Sequence, residues 1–167
     1  KYVKHLYKRL QREGQLERDV DRLVRNDRIA WGASMIACED ADAMVTGNIR
    51  HYAASIEKLK KVTDARPGEE IFGMTMITLK GKTILVADTN VQDFPSPERL
   101  VKVSKSCVRV ARLFGFDPKV AFLSHSTFGK PISKNTKQVR EAIELLKNEK
   151  VDFDFDGEMQ PDVALNP

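Results

Sequence analysis

The chain has 167 residues, with 28 Lys and Arg against 24 Asp and Glu, 41% hydrophobic and 7% aromatic side chains, too apolar for a disordered tail and sized for one domain or a pair of small lobes. No apolar run approaches the roughly 20 residues of a membrane helix, and no charged-then-apolar leader opens the chain, so the expectation is a cytoplasmic protein without a membrane partner. The net charge of +4 lies wholly in residues 1–28, where nine basic side chains are interleaved with five acidic ones, a mixture that reads as a solvated helix face rather than a nucleic-acid surface.

Val3, Leu6, Tyr7 and Leu10 recur at helical spacing and Gly14 follows as a stop, which predicts a first amphipathic helix. A second helix is predicted from Asp19 to Cys38, its stripe of Val20, Leu23, Val24, Trp31, Met35 and Cys38 interrupted by Asp27. Ala43 to Thr46 reads as a short buried strand ended by Gly47, and Ile49 to Lys61 as a helix carrying Tyr52, Ile56 and Leu59. Beyond Arg66-Pro67-Gly68, the β-formers of Ile71–Leu79 and Lys82–Asp88 flank Lys80-Gly81 as an antiparallel hairpin. Gly81-Lys82-Thr83 resembles the end of a phosphate-binding P-loop, but Met76 stands where its first glycine belongs and no strand-then-helix context surrounds it.

Ser96, Pro97 and Glu98 make a strong helix opening, followed by Leu100, Val103, Cys107, Val108, Ala111 and Phe114 on one face and Gly115 as the stop. Val120 to Leu123 is a parallel-type strand, Asn135 to Lys147 a helix facing inward with Val139, Ala142, Ile143 and Leu146, and Val151 to Asp156 an alternating strand. Helices alternating with short strands predict an α/β layer fold around a mostly parallel sheet with one hairpin. Cys38 and Cys107 lack a CxxC partner and the three histidines lack ligand spacing, so neither a disulfide scaffold nor structural zinc is expected.

Ligands in open α/β sheets collect beyond the carboxyl ends of strands, and three exits carry suitable residues. Thr46-Gly47-Asn48 either lets a phosphate or carbonyl approach the backbone or is a plain turn with an N-cap. Ser124-His125-Ser126-Thr127-Phe128-Gly129 has the hydroxyl density for phosphate or pantetheine contacts, or is a simple polar loop; adjacent Ser124 and His125 point apart on an extended chain and do not suit a nucleophile pair. Asp156-Gly157-Glu158 offers two carboxylates for acid and base work or a metal, or a solvated edge beside Asp152 and Asp154. Asp88-Thr89-Asn90 ends the hairpin, as a turn or beside a cleft.

Taken in order, these exits resemble the phosphate acetyl/butyryltransferase family. Ala41-Asp42-Ala43-Met44-Val45-Thr46-Gly47 is similar to its ADG(M/L)V(S/T)G segment, and Ala87-Asp88 through Phe94-Pro95-Ser96-Pro97-Glu98-Arg99-Leu100 to its aspartate-to-PTxEEL stretch; Pro118 to Ser124 and Asp156 to Gln160 complete the series. Leu123-Ser124-His125-Ser126 with Phe128-Gly129, and Asp162-Val163-Ala164-Leu165-Asn166, resemble the branch that forms the C-terminal domain of bacterial multidomain NADP-dependent malic enzymes.

The resemblance implies a three-layer, phosphotransacetylase-like (isocitrate/isopropylmalate dehydrogenase-like) fold. It also implies a fragment of a two-lobed domain, with residues 1–66 in the first lobe and 67–167 in the second, excised from a longer chain. Dimerisation through this domain is implied too, with acetyl-CoA held in the cleft between lobes by Thr46, Gly47, Asn48, Ser124, Ser126, Thr127, Phe128 and Gly129. By the same resemblance, NADP, a divalent metal (Mg or Mn) and malate decarboxylation belong to a catalytic domain elsewhere in the parent chain, which acetyl-CoA regulates. Catalytic transacetylases carry an arginine about ten residues past the (S/T)G glycine where this chain has Glu57, and the sequence ends before their serine-arginine-glycine segment. No catalytic residue is therefore expected here, and acetyl transfer between CoA and phosphate is the alternative activity.

Overall fold

The computed structural model describes residues 1–47, 49–88, 95–129 and 133–166. By its internal contacts the chain divides into two compact units, Lys1–Arg66 and Pro67–Pro167.

The first unit is helical. Helix α1 (Tyr2–Leu10) passes through a single 3₁₀ turn, Gln11–Glu13, to Gly14, whose left-handed φ of 82° ends it as expected. The single helix predicted from Asp19 to Cys38 is instead two, α2 (Glu17–Asn26) and α3 (Arg28–Ala37), broken at Asp27. The break has an electrostatic cause. A carboxylate cannot lie in an apolar stripe unpaired, and at φ −113° and ψ 111° Asp27 becomes the cap of α3, its Oδ1 accepting the N–H groups of Ile29 at 2.9 Å and Ala30 at 3.1 Å.

Asp27 Oδ2 then accepts Arg50 Nη1 at 2.6 Å and the Lys58 ammonium. Burial alone would raise this carboxyl, but Lys58, Arg50 and the two amides hold it far below the usual carboxylate range. Leu6, Leu10, Val20, Val24, Ala30, Ala33 and Val62 form the core of the unit.

The strand predicted over 43–46 is not formed, and Val45 is fully exposed. The first unit holds no described strand with which it could pair to satisfy its backbone groups. Met44 alone is drawn inward, its sulfur so close over Gly32 that a Cβ there would lie 2.5 Å from it. Helix α4 (Tyr52–Val62) starts three residues later than predicted. It buries Ser55 and Val62 and packs Leu59 on the core, which leaves Tyr52 half exposed.

The second unit is α/β with two small sheets rather than one mostly parallel sheet. Strands β1 (Met74–Leu79) and β2 (Lys82–Ala87) form the expected antiparallel hairpin, turning at Lys80 (φ 50°) and Gly81 (φ 78°), the two positive values a type I′ turn requires. Its first predicted residues, Ile71 to Gly73, stay outside the strand, and the Ile71 carbonyl accepts Arg99 Nη2 at 2.8 Å instead.

Helix α5 (Pro97–Leu113) is capped by Ser96, which accepts the Arg99 N–H at 3.3 Å. Val103, Val108 and Ala111 are buried as predicted, whereas Phe114 lies past the helix end and is exposed. Burial pushes the Cys107 thiol pKa up, and the sulfur lies 3.6 Å from Met74 Sδ, tying α5 to the hairpin.

Strand β3 (Val120–Leu123) pairs in parallel with β4 (Phe155–Met159). The predicted strand Val151–Asp156 is thus shifted toward the C-terminus. Val120 pairs with Phe155, so a β3 of four residues can engage only Phe155 onward. Val151 and Phe153 pack on the core from an irregular segment, with Phe153 edge-on to Phe155. Helix α6 (Lys134–Glu149) opens with a reciprocal capping box between Ser133 and Thr136. Its Ala142, Ile143 and Leu146 join Val101 and Phe122 in the core, and a short α7 (Pro161–Leu165) follows β4. Among the described residues no helix is long and apolar enough to cross a membrane.

Asp27→Ala removes a helix cap and strands two cations, and is expected to cost the first unit about 3 kcal/mol. Urea unfolding read by the fluorescence of Trp31, the sole tryptophan and a residue of α3, measures it. Because the folded carboxyl is depressed, its contribution is complete above the unfolded pKa of about 3.9 and is lost as pH falls below it. Asp27→Asn should therefore flatten the acid limb of the stability profile.

Candidate functional site

Two of the three predicted exits meet in the second unit. Ser124 extends the β3–β4 ladder by donating its N–H to the Met159 carbonyl at 2.9 Å, and the chain then folds back over the end of β4. Phe128 N–H reaches the Glu158 carbonyl at 3.0 Å, Gln160 N–H donates to Thr127 Oγ1 at 3.1 Å, and Gln160 Nε2 donates to the His125 carbonyl at 2.9 Å. Each bond joins residues thirty or more positions apart in sequence, so the 124–129 loop and the 156–160 segment form one structure.

Glu158 lies at the base of that structure, 1% exposed. Its Oε1 accepts Ser126 Oγ at 2.9 Å and Arg140 Nη2 and Nε at 2.6 and 3.2 Å. Arg140 Nη2 also donates to the Gly129 carbonyl at 2.7 Å, so one guanidinium grips both the loop and its base. Glu158 Oε2 is buried without a hydrogen-bond partner among the described residues.

The loop sorts the predicted ligand residues into two kinds. Ser126 is 3% exposed and its hydroxyl is given to Glu158. Ser124 and Thr127 are half-buried, Ser124 Oγ accepting the Ser126 N–H at 3.3 Å. Phe128 is 57% exposed and sits at φ 43°, a left-handed conformation costly for an aromatic residue, and Gly129 follows it. Of the predicted ligand residues in this loop Phe128 is thus the exposed one, while the Ser124 and Thr127 oxygens already accept the Ser126 and Gln160 N–H groups.

The Asp156–Glu158 carboxylates are set apart. Asp156 is exposed and accepts the Gly157 N–H at 2.8 Å, while Glu158 is buried against Arg140. The described residues gather no group of three His, Cys, Asp or Glu side chains able to hold a metal.

The remaining exit belongs to the first unit. Thr46 and Gly47 lie on an exposed irregular segment, with Gly47 at φ 133° and open space where a Cβ would stand. The Gly47 carbonyl accepts the Ile49 N–H at 3.0 Å. Asn48 lies outside the described residues, as do Thr89, Asn90 and Phe94. An open crease of about 520 Å³ in this unit is lined by Leu10, Glu13, Asp19, Arg22, Asn26 and Lys61 among others, with neither Thr46 nor Gly47 on its wall.

Sequence reasoning missed two arginines. Arg140 stands beside Val139 on α6, one step off the apolar stripe, and that offset is its only local signal. Arg99, 11% exposed at its side chain, joins Glu70 at 3.0 Å and Asp88 at 3.1 Å, clasping the end of the hairpin to the start of α5. Asp88 holds a left-handed φ of 57° there.

The family profile described as phosphate acetyl/butaryl transferase matches residues 1–167. The chain is 45% identical over 99% of its length to an NADP-dependent malic enzyme of Rhizobium meliloti, and 31% identical over 84% to a phosphate acetyltransferase of Nitratidesulfovibrio vulgaris. It spans 22% of the first of these relatives and 20% of the second. A solved phosphotransacetylase from Streptococcus pyogenes superposes with a TM-score of 0.78 at 25% identity, over 99% of this chain and 53% of that one.

Gly157 makes the β3–β4 junction possible. A Cβ there would lie 2.7 Å from the Phe122 carbonyl oxygen and 2.9 Å from its Cβ, at a φ of 145°. Gly157→Ala is therefore expected to destabilise the second unit by about 2–4 kcal/mol. Thermal unfolding followed by circular dichroism measures this, and an unchanged melting temperature would refute the close approach.

Proposed function

The chain belongs to the phosphate acetyl/butaryl transferase family, and from that premise we propose that it is an acetyl-CoA-binding regulatory and dimerisation domain of an NADP-dependent malic enzyme. The observation that carries this reading is the 45% identity sustained over 99% of the chain with a protein of that name. NADP, a divalent metal (Mg or Mn) and the decarboxylation of malate are assigned to the rest of such an enzyme. This chain supplies the effector contacts and the self-association.

In the second unit acetyl-CoA is assigned to the outward face of the 124–129 loop. Ser124 and Thr127 offer hydroxyls to the polar groups of the ligand, and Phe128 offers an aromatic surface of the kind that packs against apolar or planar parts. In the first unit Thr46, Gly47 and Asn48 are the assigned contacts. Gly47 leaves its backbone uncovered, as close approach of a ligand carbonyl or phosphate requires. Arg50, three residues beyond Gly47, is already engaged by Asp27 and is not offered to a phosphate.

The absence of acetyl transfer is argued from Glu57. It lies on α4, its side chain 70% exposed and paired with Lys61 at 3.1 Å. A carboxylate at the position of the family's arginine repels acetyl phosphate instead of binding it. Regulation follows from coupling: acetyl-CoA must bind one arrangement of the parent enzyme better than another, and can shift the catalytic domain only by that difference. The second reading, phosphate acetyltransferase, is favoured by the 31% identity to an enzyme of that name.

Calorimetric titration separates the two. The regulatory reading predicts saturable binding of acetyl-CoA, no heat with acetyl phosphate, and no phosphate-dependent release of CoA. Release that requires phosphate would establish the transferase reading instead. Gly47→Val, strained at a φ of 133°, should weaken acetyl-CoA binding about tenfold or more in a variant that circular dichroism shows to be folded. Unchanged affinity would remove that segment from the site.

A further inference from the structure

We propose that Glu158, clamped by Arg140, is the positioning residue that holds the 124–129 loop in its ligand-ready shape. The proposal rests on the reading of that loop as an acetyl-CoA contact, and assigns a role to two side chains that the reading leaves without one.

Burying a carboxylate is expensive even when it is paired, and well-packed apolar residues in place of a buried ion pair are often neutral or stabilising. A charge buried to 1% exposure beneath a polar loop is thus poorly explained by stability. Its bonds show what it does provide. The side chain accepts the Ser126 hydroxyl, the main-chain carbonyl accepts the Phe128 N–H, and Arg140, fixed by Glu158, reaches the Gly129 carbonyl. Three of the four residues from Ser126 to Gly129 are therefore tied directly or through one guanidinium to a single residue.

Between the first and last of these ties stands Phe128, at φ 43° and 57% exposed. A free loop would relax from this conformation, since the left-handed region is sterically unfavourable for a bulky side chain. The cluster holds it in place before any ligand arrives. A loop ordered in advance spares the ligand the entropy of ordering it, and so raises affinity without adding a contact. Glu158 itself is covered and touches the loop, not the ligand. Its effect passes through Ser126, Phe128 and, by way of Arg140, Gly129.

Amide hydrogen exchange and acetyl-CoA calorimetry on the same variants test the assignment. Glu158→Gln preserves shape and an acceptor for Ser126 but removes the charge that fixes Arg140. Ser126→Ala removes one tie and leaves the ion pair, so it serves where the first variant fails to fold. The expected result for either is exchange of the Phe128 and Gln160 amides, which bond across the loop, faster by about tenfold, with α5 and α6 at wild-type rates and acetyl-CoA affinity reduced by a similar factor.

General destabilisation would raise exchange in the helices as well, and that outcome overturns the proposal, as does wild-type exchange in the loop. If the unaltered chain does not bind acetyl-CoA, the functional reading falls. The exchange measurement then still decides whether Glu158 orders the loop.

Discussion

A carboxylate taken out of water needs a partner, and much of the second unit is arranged so that Glu158 has one. Arg140 can reach Glu158 only if α6 lies alongside β4, and α6 is placed there by Ala142, Ile143 and Leu146 packing with Val101 and Phe122. Its start is fixed by the Ser133–Thr136 capping box, and β4 is aligned by its pairing with β3, where Gly157 lets the backbones approach closely. The first unit repeats the principle with Asp27, whose carboxylate breaks one helix into two and gathers Ile29, Ala30, Arg50 and Lys58 about it. In both units a buried acid sets local geometry that apolar packing alone leaves open.

The two acids differ in what they hold. Asp27 organises helices of the first unit and is met by two cations, so its influence ends in the scaffold. Glu158 is met by one cation and one hydroxyl, and both continue into a loop with an exposed aromatic ring at a strained φ. Strain that persists on the surface is held by what surrounds it, and such strain collects at functional segments. That contrast singles out the 124–129 loop as the candidate contact in this unit, more than its hydroxyl content does. The proposal of acetyl-CoA as the ligand rests on the family relationship, and within the loop Phe128 is the exposed predicted contact.

Local chemistry in the sequence was sufficient where one segment carries its own signal. Ser96-Pro97-Glu98 announced α5, Lys80-Gly81 the hairpin, and the Val139–Leu146 spacing the inward face of α6. It failed where distant residues decide. The break at Asp27 depends on Arg50 and Lys58, 23 and 31 positions away. The shift of β4 depends on which residues of β3 it meets, and a strand over 43–46 would need a partner that the described residues of its own unit do not form. The hydroxyl-rich loop and the Asp156–Glu158 pair were each visible as candidates, yet their union through Ser126, Phe128 and Gln160 was not. Arg140 carried no sequence signal beyond its place beside an apolar stripe.

The 124–129 loop is proposed to be a preformed acetyl-CoA contact. The most direct measurement is the hydrogen-exchange footprint of saturating acetyl-CoA on the unaltered chain. A loop that Glu158 holds in shape before binding gains chiefly from ligand cover, so exchange is expected to slow selectively across residues 124–129 with a smaller change at the β3–β4 core. A footprint that leaves residues 124–129 untouched while another segment is protected would contradict it.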